Sequence, residues 1–258
     1  MIKDNFDKAQ GHWILARMGK KVLRPGGKEL TQKLVDFLHI NKNDEIVEFA
    51  PGLGFTASLT LAQHPKSYIG VDADKDAVAF LNQKIKGENI NFRLGNAAHT
   101  DIKDNSKDKV YGEAMLTMHA DHRKAEIIKE AHRILKKGGL YAIHELGLTP
   151  NELSDAEKAE VQRDLANSIK VNARPLTLNE WKTLLENEGF KVQKVASNPM
   201  HLLQTKRLIQ DEGWFRSLKI GFNIITHPKA MRRILDMKNV FQKHQEKMNS
   251  VVLVAQKI

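Results

Sequence analysis

The sequence of 258 residues contains no cysteine. Disulfides, thiolate metal sites and every mechanism that needs a cysteine nucleophile are thereby excluded. Nor is there an apolar run near the roughly 18 residues that a membrane-spanning helix requires. The opening stretch, residues 1–21, holds acids and only a brief apolar patch at Trp13–Ala16, which makes a poor signal peptide, so the expected location is cytoplasmic. Internal repeats and low-complexity tracts are lacking. With 41% hydrophobic and 28% charged residues, the composition is that of an ordinary globular chain with a substantial core.

Acids are the scarcer charge, 31 Asp and Glu against 41 Lys and Arg, for a formal net charge of +10. Residues 201–250 hold ten Lys and Arg against four Asp and Glu, so more than half of the excess lies there. Charge of this kind bears on solubility and on encounter with anions, not on specificity.

A rhythm of strands and helices begins after the turn-forming Arg24–Gly27. Leu30, Leu34, Phe37 and Leu38 recur at helical spacing in Lys28–Leu38. Strands are expected at Glu45–Phe49, Ser67–Val71, Asn91–Leu94, Lys109–Met115 and Gly139–Glu145, separated by helical segments at Thr56–Gln63, Lys75–Lys84 and Arg123–Leu135. Strands joined by crossover helices run parallel, and ligands of such sheets lie at the carboxyl ends of the strands. Ser154–Lys170 is a helix opened by a capping box of Ser154 and Glu157. Thr177–Glu188 is another, and Phe190–Val195 and Val251–Val254 complete seven strands. The expected fold is therefore α/β: a doubly wound, mostly parallel seven-stranded Rossmann-like sheet, an N-terminal helical segment over residues 1–40, and a main domain over residues 41–258. A helical cap of two or three helices is inserted at about residues 200–248.

"IVEFAPGLGFTA", residues 46–57, is the first stretch with chemical content. Gly52-x-Gly54-x-x-Ala57 satisfies the dinucleotide fingerprint, and Asp72 follows Gly52 by twenty residues at the end of the next strand, where an acid could hold a ribose. Glycines permit close backbone approach, and the following helix N-terminus offers free N–H groups to an anion. That anion is a pyrophosphate for NAD and a carboxylate for S-adenosylmethionine. Glu48, inside the strand, suits the second ligand, whose ammonium needs an acid; a dinucleotide has no use for it, and burying it alone is costly.

The order of motifs resembles that of the class I S-adenosylmethionine-dependent methyltransferases. "VEFAPGLG" is similar to their first motif, with Ala50 where many members have glycine, and "YIGVDAD" to the second, in which Asp72 and Ala73 would meet the ribose. "FRLGNAAH" resembles the third, with Asn96 in place of the usual aspartate beside Ala97, so that the Asn96 carbonyl would accept from the adenine amine. "AHRILKKGGLYAIHELGL" is similar to the entry into the fifth strand in the small-molecule branch, which includes ubiquinone, menaquinone and sterol methyltransferases. The four motifs cover about residues 45–148. What this implies is methyl transfer by in-line displacement from S-adenosylmethionine to a small-molecule acceptor, hydrophobic or anionic. The alternatives are an RNA methyltransferase, a non-catalytic S-adenosylmethionine-binding protein and an NAD-dependent oxidoreductase. No D/N-P-P-Y segment of the kind that stacks the base in adenine-N6 and related amino methyltransferases is present, which argues against nucleic acid as the substrate. Lack of cysteine removes arsenite-type and cytosine-C5 chemistry.

Candidate catalytic residues follow the fourth strand in "YGEAMLTMHADH": Glu113 could orient an amine, contact the cofactor or cap a turn, and His119 or His122 could act as a base. Glu48, Ala50, Gly52, Gly54, Asp72, Ala73, Asn96 and Ala97 are the expected cofactor contacts, together with Arg24 paired with a carboxylate of cofactor or substrate. Trp13, Met115, Met118, His144 and Trp214 are the expected acceptor pocket, with Glu145, Phe215 and Phe222 nearby. No metal site is expected, since no ligand spacing supports one. The segment "DEGWFRSLKIGFNIITHPKAMRRIL" mixes aromatics with Lys and Arg and reads as an amphipathic lid capable of peripheral membrane contact. Oligomeric state leaves no mark in the sequence.

Overall fold

The computed structural model describes residues 6–7, 9–200 and 205–258, with the side chains of residues 205–207 left out. Its frame is one sheet built from β1 (Glu45–Phe49), β2 (Ser67–Asp72), β3 (Ile90–Leu94), β4 (Lys107–Glu113), β5 (Leu135–Leu148), β6 (Leu176–Thr177), β7 (Phe190–Pro199) and β8 (Met248–Lys257). The strand order is β3-β2-β1-β4-β5-β8-β7. This is the seven-strand path the sequence led us to expect, and the two-residue β6 adds to it by pairing with the end of β5. β1 to β5 are mutually parallel, whereas β8 runs antiparallel to both β5 and β7.

The period of two in each strand sends alternate side chains to opposite faces. Val47 and Phe49 of β1 join Val251, Leu253 and Ala255 of β8 in one buried cluster. That cluster is covered by α5 (Asp121–Ile134) and α7 (Leu178–Asn187), through Ile127, Ile128, Trp181 and Leu185. Ile46, Val252 and Val254 face the other way. There they meet Leu30, Leu34 and Leu38 of α2 (Gly27–Leu38), Ala57 of α3 (Phe55–Leu61) and Leu81 of α4 (Lys75–Lys84). Truncating any of these fully buried leucines to alanine costs about 2–5 kcal/mol.

Local signals set the helix ends. The Ser154 capping box opens α6 (Asp155–Ile169), and an equivalent box of Thr177 and Glu180 opens α7. Gly54 takes φ 75° just before α3, and a Cβ there would stand 2.4 Å from Leu81 Cδ2, so glycine is needed both for the turn and for packing α3 against α4.

A further, smaller cluster lies away from the sheet. Ile14 and Leu15 of α1 (Gly11–Arg17) and Met18 pack on Ile220, Ala230, Ile234 and Met237. The last four come from α9 (Trp214–Ile225) and α10 (Pro228–Lys243), which follow α8 (Thr205–Glu212) between β7 and β8. Because α2 packs on the sheet, only the residues before it are free to cover the strand ends. Arg233 of α10 fixes this arrangement by donating to the carbonyls of Phe6, Asp7 and Ser168.

Candidate active site

A cavity of about 870 Å³ opens at the carboxyl ends of β1, β2 and β4, inside the roughly 300–1,000 Å³ range of small-molecule sites. Its position is the one that a doubly wound sheet leaves vacant, where successive loops diverge.

One end of the cavity is formed by the glycine turn and the ends of β2 and β3. Ala50, Gly52, Asp72, Ala73, Asn96 and Ala97 all line it. Gly52 has φ 56°, and the nearest atom to a Cβ built there is the Ala50 carbonyl oxygen at 4.0 Å, so the turn presents bare backbone to the cavity. Asp72 is 8% exposed and accepts from the Gly52 N–H at 2.9 Å and from the Asp74 N–H at 2.9 Å. Burial raises its pKa, opposed by these backbone donors. Gly54, expected here as well, does not line the cavity but packs between α3 and α4.

Asn96 departs from expectation in its orientation. Its Oδ1 already accepts from the Ala98 N–H at 3.0 Å and from Arg123 Nη2 at 2.6 Å. Both lone pairs are thus engaged inside the protein, which leaves the Asn96 amide hydrogens, not its carbonyl, to face a ligand.

Glu48 also departs from expectation. It belongs to the α2–α3 face of β1, 1% exposed, and does not line the cavity. Its carboxyl accepts from the Tyr68 hydroxyl and from the Tyr111 hydroxyl, the latter at 2.8 Å. Burial drives its pKa up to about 7, against the pull of Tyr68, Arg24 and Tyr111. Holding a ligand's ammonium directly is therefore not its position.

Glu113, at the end of β4, does line the cavity, as Asp72 does. Its carboxylate meets Arg24 Nε at 2.6 Å, His144 Nδ1 at 2.6 Å, Thr31 Oγ1 at 2.8 Å and Thr56 Oγ1. Burial alone would raise its pKa; the Arg24 charge, His144 and Thr56 more than offset this and hold it at about 2. Arg24, which also lines the cavity, thus finds its carboxylate within the protein, not on a ligand. His144 is fully buried beneath Glu113 and does not reach the cavity, so it supports the wall without being part of it. Glu145 is buried too, and accepts the backbone N–H groups of Met115, Leu116 and Thr117, which fixes the loop after β4.

That loop forms the other end of the cavity. Met115, Met118 and His119 line it, opposite Trp13 from α1. Burial lowers the pKa of His119, with the nearby charges of Arg123 and Lys124 acting in the same direction, so the imidazole is neutral at physiological pH. His122 is exposed and lies outside the lining. Trp214, Phe215 and Phe222 are 61%, 88% and 67% exposed and form no part of the wall. A single helix with two apolar arcs hid this in the sequence, because pattern alone does not say which arc is buried.

Several lining residues went unnoticed in the sequence: His12, Lys21, Lys75 and Arg123. His12 has a pKa lowered by burial and partly restored by Asp74, which places the two near one another. The backbone hydrogen bonds of Lys21 and Val22 to Glu212, at 2.7 and 2.8 Å, and the Arg24–Glu113 ion pair bring the segment 20–24 over the strand ends. A contact spanning 191 positions leaves no local signal. Away from the cavity, Glu160, Asp164 and His244 have ligand-type atoms within 4.8 Å of one another. Lys243 Nζ, at 2.7 Å from Glu160 and 2.8 Å from Asp164, already pairs with both carboxylates.

Comparison with known proteins agrees with this geometry. Residues 47–143 match a family model described as a methyltransferase domain. The chain is 33% identical over 263 residues to an uncharacterized protein of Haemophilus influenzae, covering 100% of both. It is 22% identical over 219 residues to the phosphoethanolamine N-methyltransferase of Plasmodium falciparum, covering 78% of this chain and 82% of that one. Among solved structures, phosphoethanolamine N-methyltransferase 2 of Haemonchus contortus in complex with S-adenosyl-L-methionine is similar with a TM-score of 0.72. The match covers 96% of this chain and 56% of that one at 16% identity, a likeness of fold.

Proposed function

Because the chain belongs to the class I S-adenosylmethionine-dependent methyltransferases, enzymes that use this cofactor, we propose that its acceptor is a small molecule bound in the same cavity. The observation that carries this reading is the roof. Trp13, Lys21, Leu23 and Arg24 line the cavity together with the strand ends, so that an acceptor the size of a metabolite fits between this segment and the loop after β4. Lys21 and Lys75 on the wall favour an acceptor with an anionic group, as in the phosphorylated amine for which two of the similar proteins are named. The basic charge of the chain as a whole carries no weight toward RNA.

The residues present suit the cofactor. A bare glycine turn can approach its carboxylate, Asp72 can exchange its backbone donors for ribose hydroxyls, and the Asn96 amide can donate to an adenine ring nitrogen. Bound there, S-adenosylmethionine supplies a methyl group whose bond to sulfur breaks with its electron pair left on sulfur, as a lone pair of the acceptor forms the new bond. Met115, Met118 and Trp13 exclude water from that line and align the acceptor. An imidazole nitrogen of His119 takes the acceptor's proton where it carries one. Glu113 stays ionised and, through Arg24, holds the roof in place.

Calorimetry with S-adenosylmethionine, S-adenosylhomocysteine and NAD tests the cofactor half; binding of NAD alone would sink it. For the acceptor half, methyl-labelled cofactor is incubated with a small-metabolite extract and, separately, with RNA. Label is expected in the metabolite fraction, and label confined to RNA would overturn the proposal.

A further inference from the structure

One face of α9 is apolar and uncovered. At 100° per residue, Trp214, Ile225, Leu218, Phe222 and Phe215 fall at 0°, 20°, 40°, 80° and 100°, a continuous arc. All five are more than half exposed, from 58% at Leu218 to 88% at Phe215. The opposite side of the helix is already used: Ile220 is buried against the N-terminal cluster, and Asn223 Nδ2 donates to the Met18 carbonyl at 3.0 Å. Packing within the chain therefore anchors α9 and leaves the arc outside. Isolated exposed apolar residues are ordinary, but five large ones in a contiguous stripe mark an interaction surface.

The charge around the stripe identifies the occupant. Lys219 sits next to the arc, and α9 and α10 together carry Arg216, Lys219, Lys229, Arg232 and Lys238 besides the buried Arg233 and the ion-paired Lys243. Asp236 is their only acid. Lys219, Lys229, Arg232 and Lys238 have no ion pair among the described residues. Tryptophan, phenylalanine, leucine and isoleucine beside unpaired cations are the composition of a helix that lies in the plane of an anionic lipid surface. We propose that α9 docks the protein on anionic phospholipid membranes, with Trp214, Phe215, Leu218, Phe222 and Ile225 inserted among the acyl chains. Lys219 and its basic neighbours then meet the headgroups. Since α9 also holds Met18, docking places the roof of the cavity next to the membrane.

The test uses the full chain and sedimentable vesicles of either zwitterionic phosphatidylcholine or phosphatidylcholine with phosphatidylglycerol. Binding to the anionic vesicles is expected to be at least tenfold tighter and to weaken as salt is raised from 0.1 to 0.5 M. The F215S/F222S variant changes two exposed side chains outside the cavity, and is expected to lose binding at least tenfold while its thermal unfolding and S-adenosylmethionine binding stay unchanged. As a readout independent of that variant, acyl-chain-brominated lipids should quench tryptophan fluorescence in the wild type and not in W214F. Equal binding of wild type and F215S/F222S, or no quenching at all, overturns the proposal. So does a concentration-dependent dimer in sedimentation velocity that F215S/F222S abolishes, in the absence of vesicle binding; that result would assign the stripe to a second copy of the chain.

Discussion

Two buried acids, Glu48 and Glu113, sit on adjacent strands and respond to pH in opposite directions. Glu113 is held at about 2, below its ordinary 4.5, so the stability it lends is complete above about pH 4.5 and is lost as pH falls toward 2. Glu48 is raised to about 7, so the native state keeps a proton that the unfolded chain has released. Its contribution is present below about pH 4.5 and is lost as pH rises through 7. A shift of this size corresponds to roughly 3–4 kcal/mol, at about 1.4 kcal/mol per unit. Glu48→Gln should therefore be more stable than the wild type by that amount at pH 8 and show no such gain at pH 4.5, measured by urea unfolding at both. An equal difference at the two pH values would show that Glu48 is not protonated on folding. Arg24→Met leaves Glu113 charged and buried, and should cost about 3–5 kcal/mol in the same assay, with much of the loss recovered on adding Glu113→Gln. At the other end of the cavity, His119→Ala should lower kcat about 10²-fold or more for an acceptor that carries a proton, with the calorimetric Kd for S-adenosylmethionine unchanged. An unaltered kcat would remove His119 as the base.

Among the elements, those with local signals were readable in advance and those fixed by distant contacts were not. The Ser154 capping box and the glycine turn at 52–54 each reside in a few adjacent residues, and both structures follow directly. For Glu48, the alternation of β1 already separated it from Val47 and Phe49. Which side of a strand end would hold the ligand depended on where the neighbouring helices crossed, and that is not local information. His12 and Lys21 reached the cavity because α1 and the segment after it are tied to α8, α9 and α10 and, through Arg24, to Glu113, all distant in sequence. Glu212, at the end of α8, is thus a latch on the roof. Glu212→Ala removes the partner of two backbone N–H groups, bonds to a charged acceptor worth about 1.5–3 kcal/mol each, and should raise the dissociation rate of S-adenosylmethionine about tenfold in stopped-flow. By the same contacts, removal of α8 and α9 should weaken cofactor retention along with acceptor methylation.

At the scale of the whole molecule, the sheet and its crossovers were legible because each strand announces itself by a short apolar run and each crossover by a helical period. The cap was legible only as a basic, amphipathic stretch. Its arrangement rests on the Ile14–Ile220–Met237 cluster, which joins residues more than two hundred positions apart. The position of β8 has a further consequence, for biosynthesis. It is the last strand in the sequence, yet it lies between β5 and β7, hydrogen-bonded to both. While the chain emerges from a ribosome, β5 and β7 each present an open edge, and the 48 residues that separate β7 from β8 must be made before either edge is covered. A nascent chain of this protein is therefore exposed to edge-to-edge misassociation until β8 has been made, and its yield should depend on how long translation dwells over the cap.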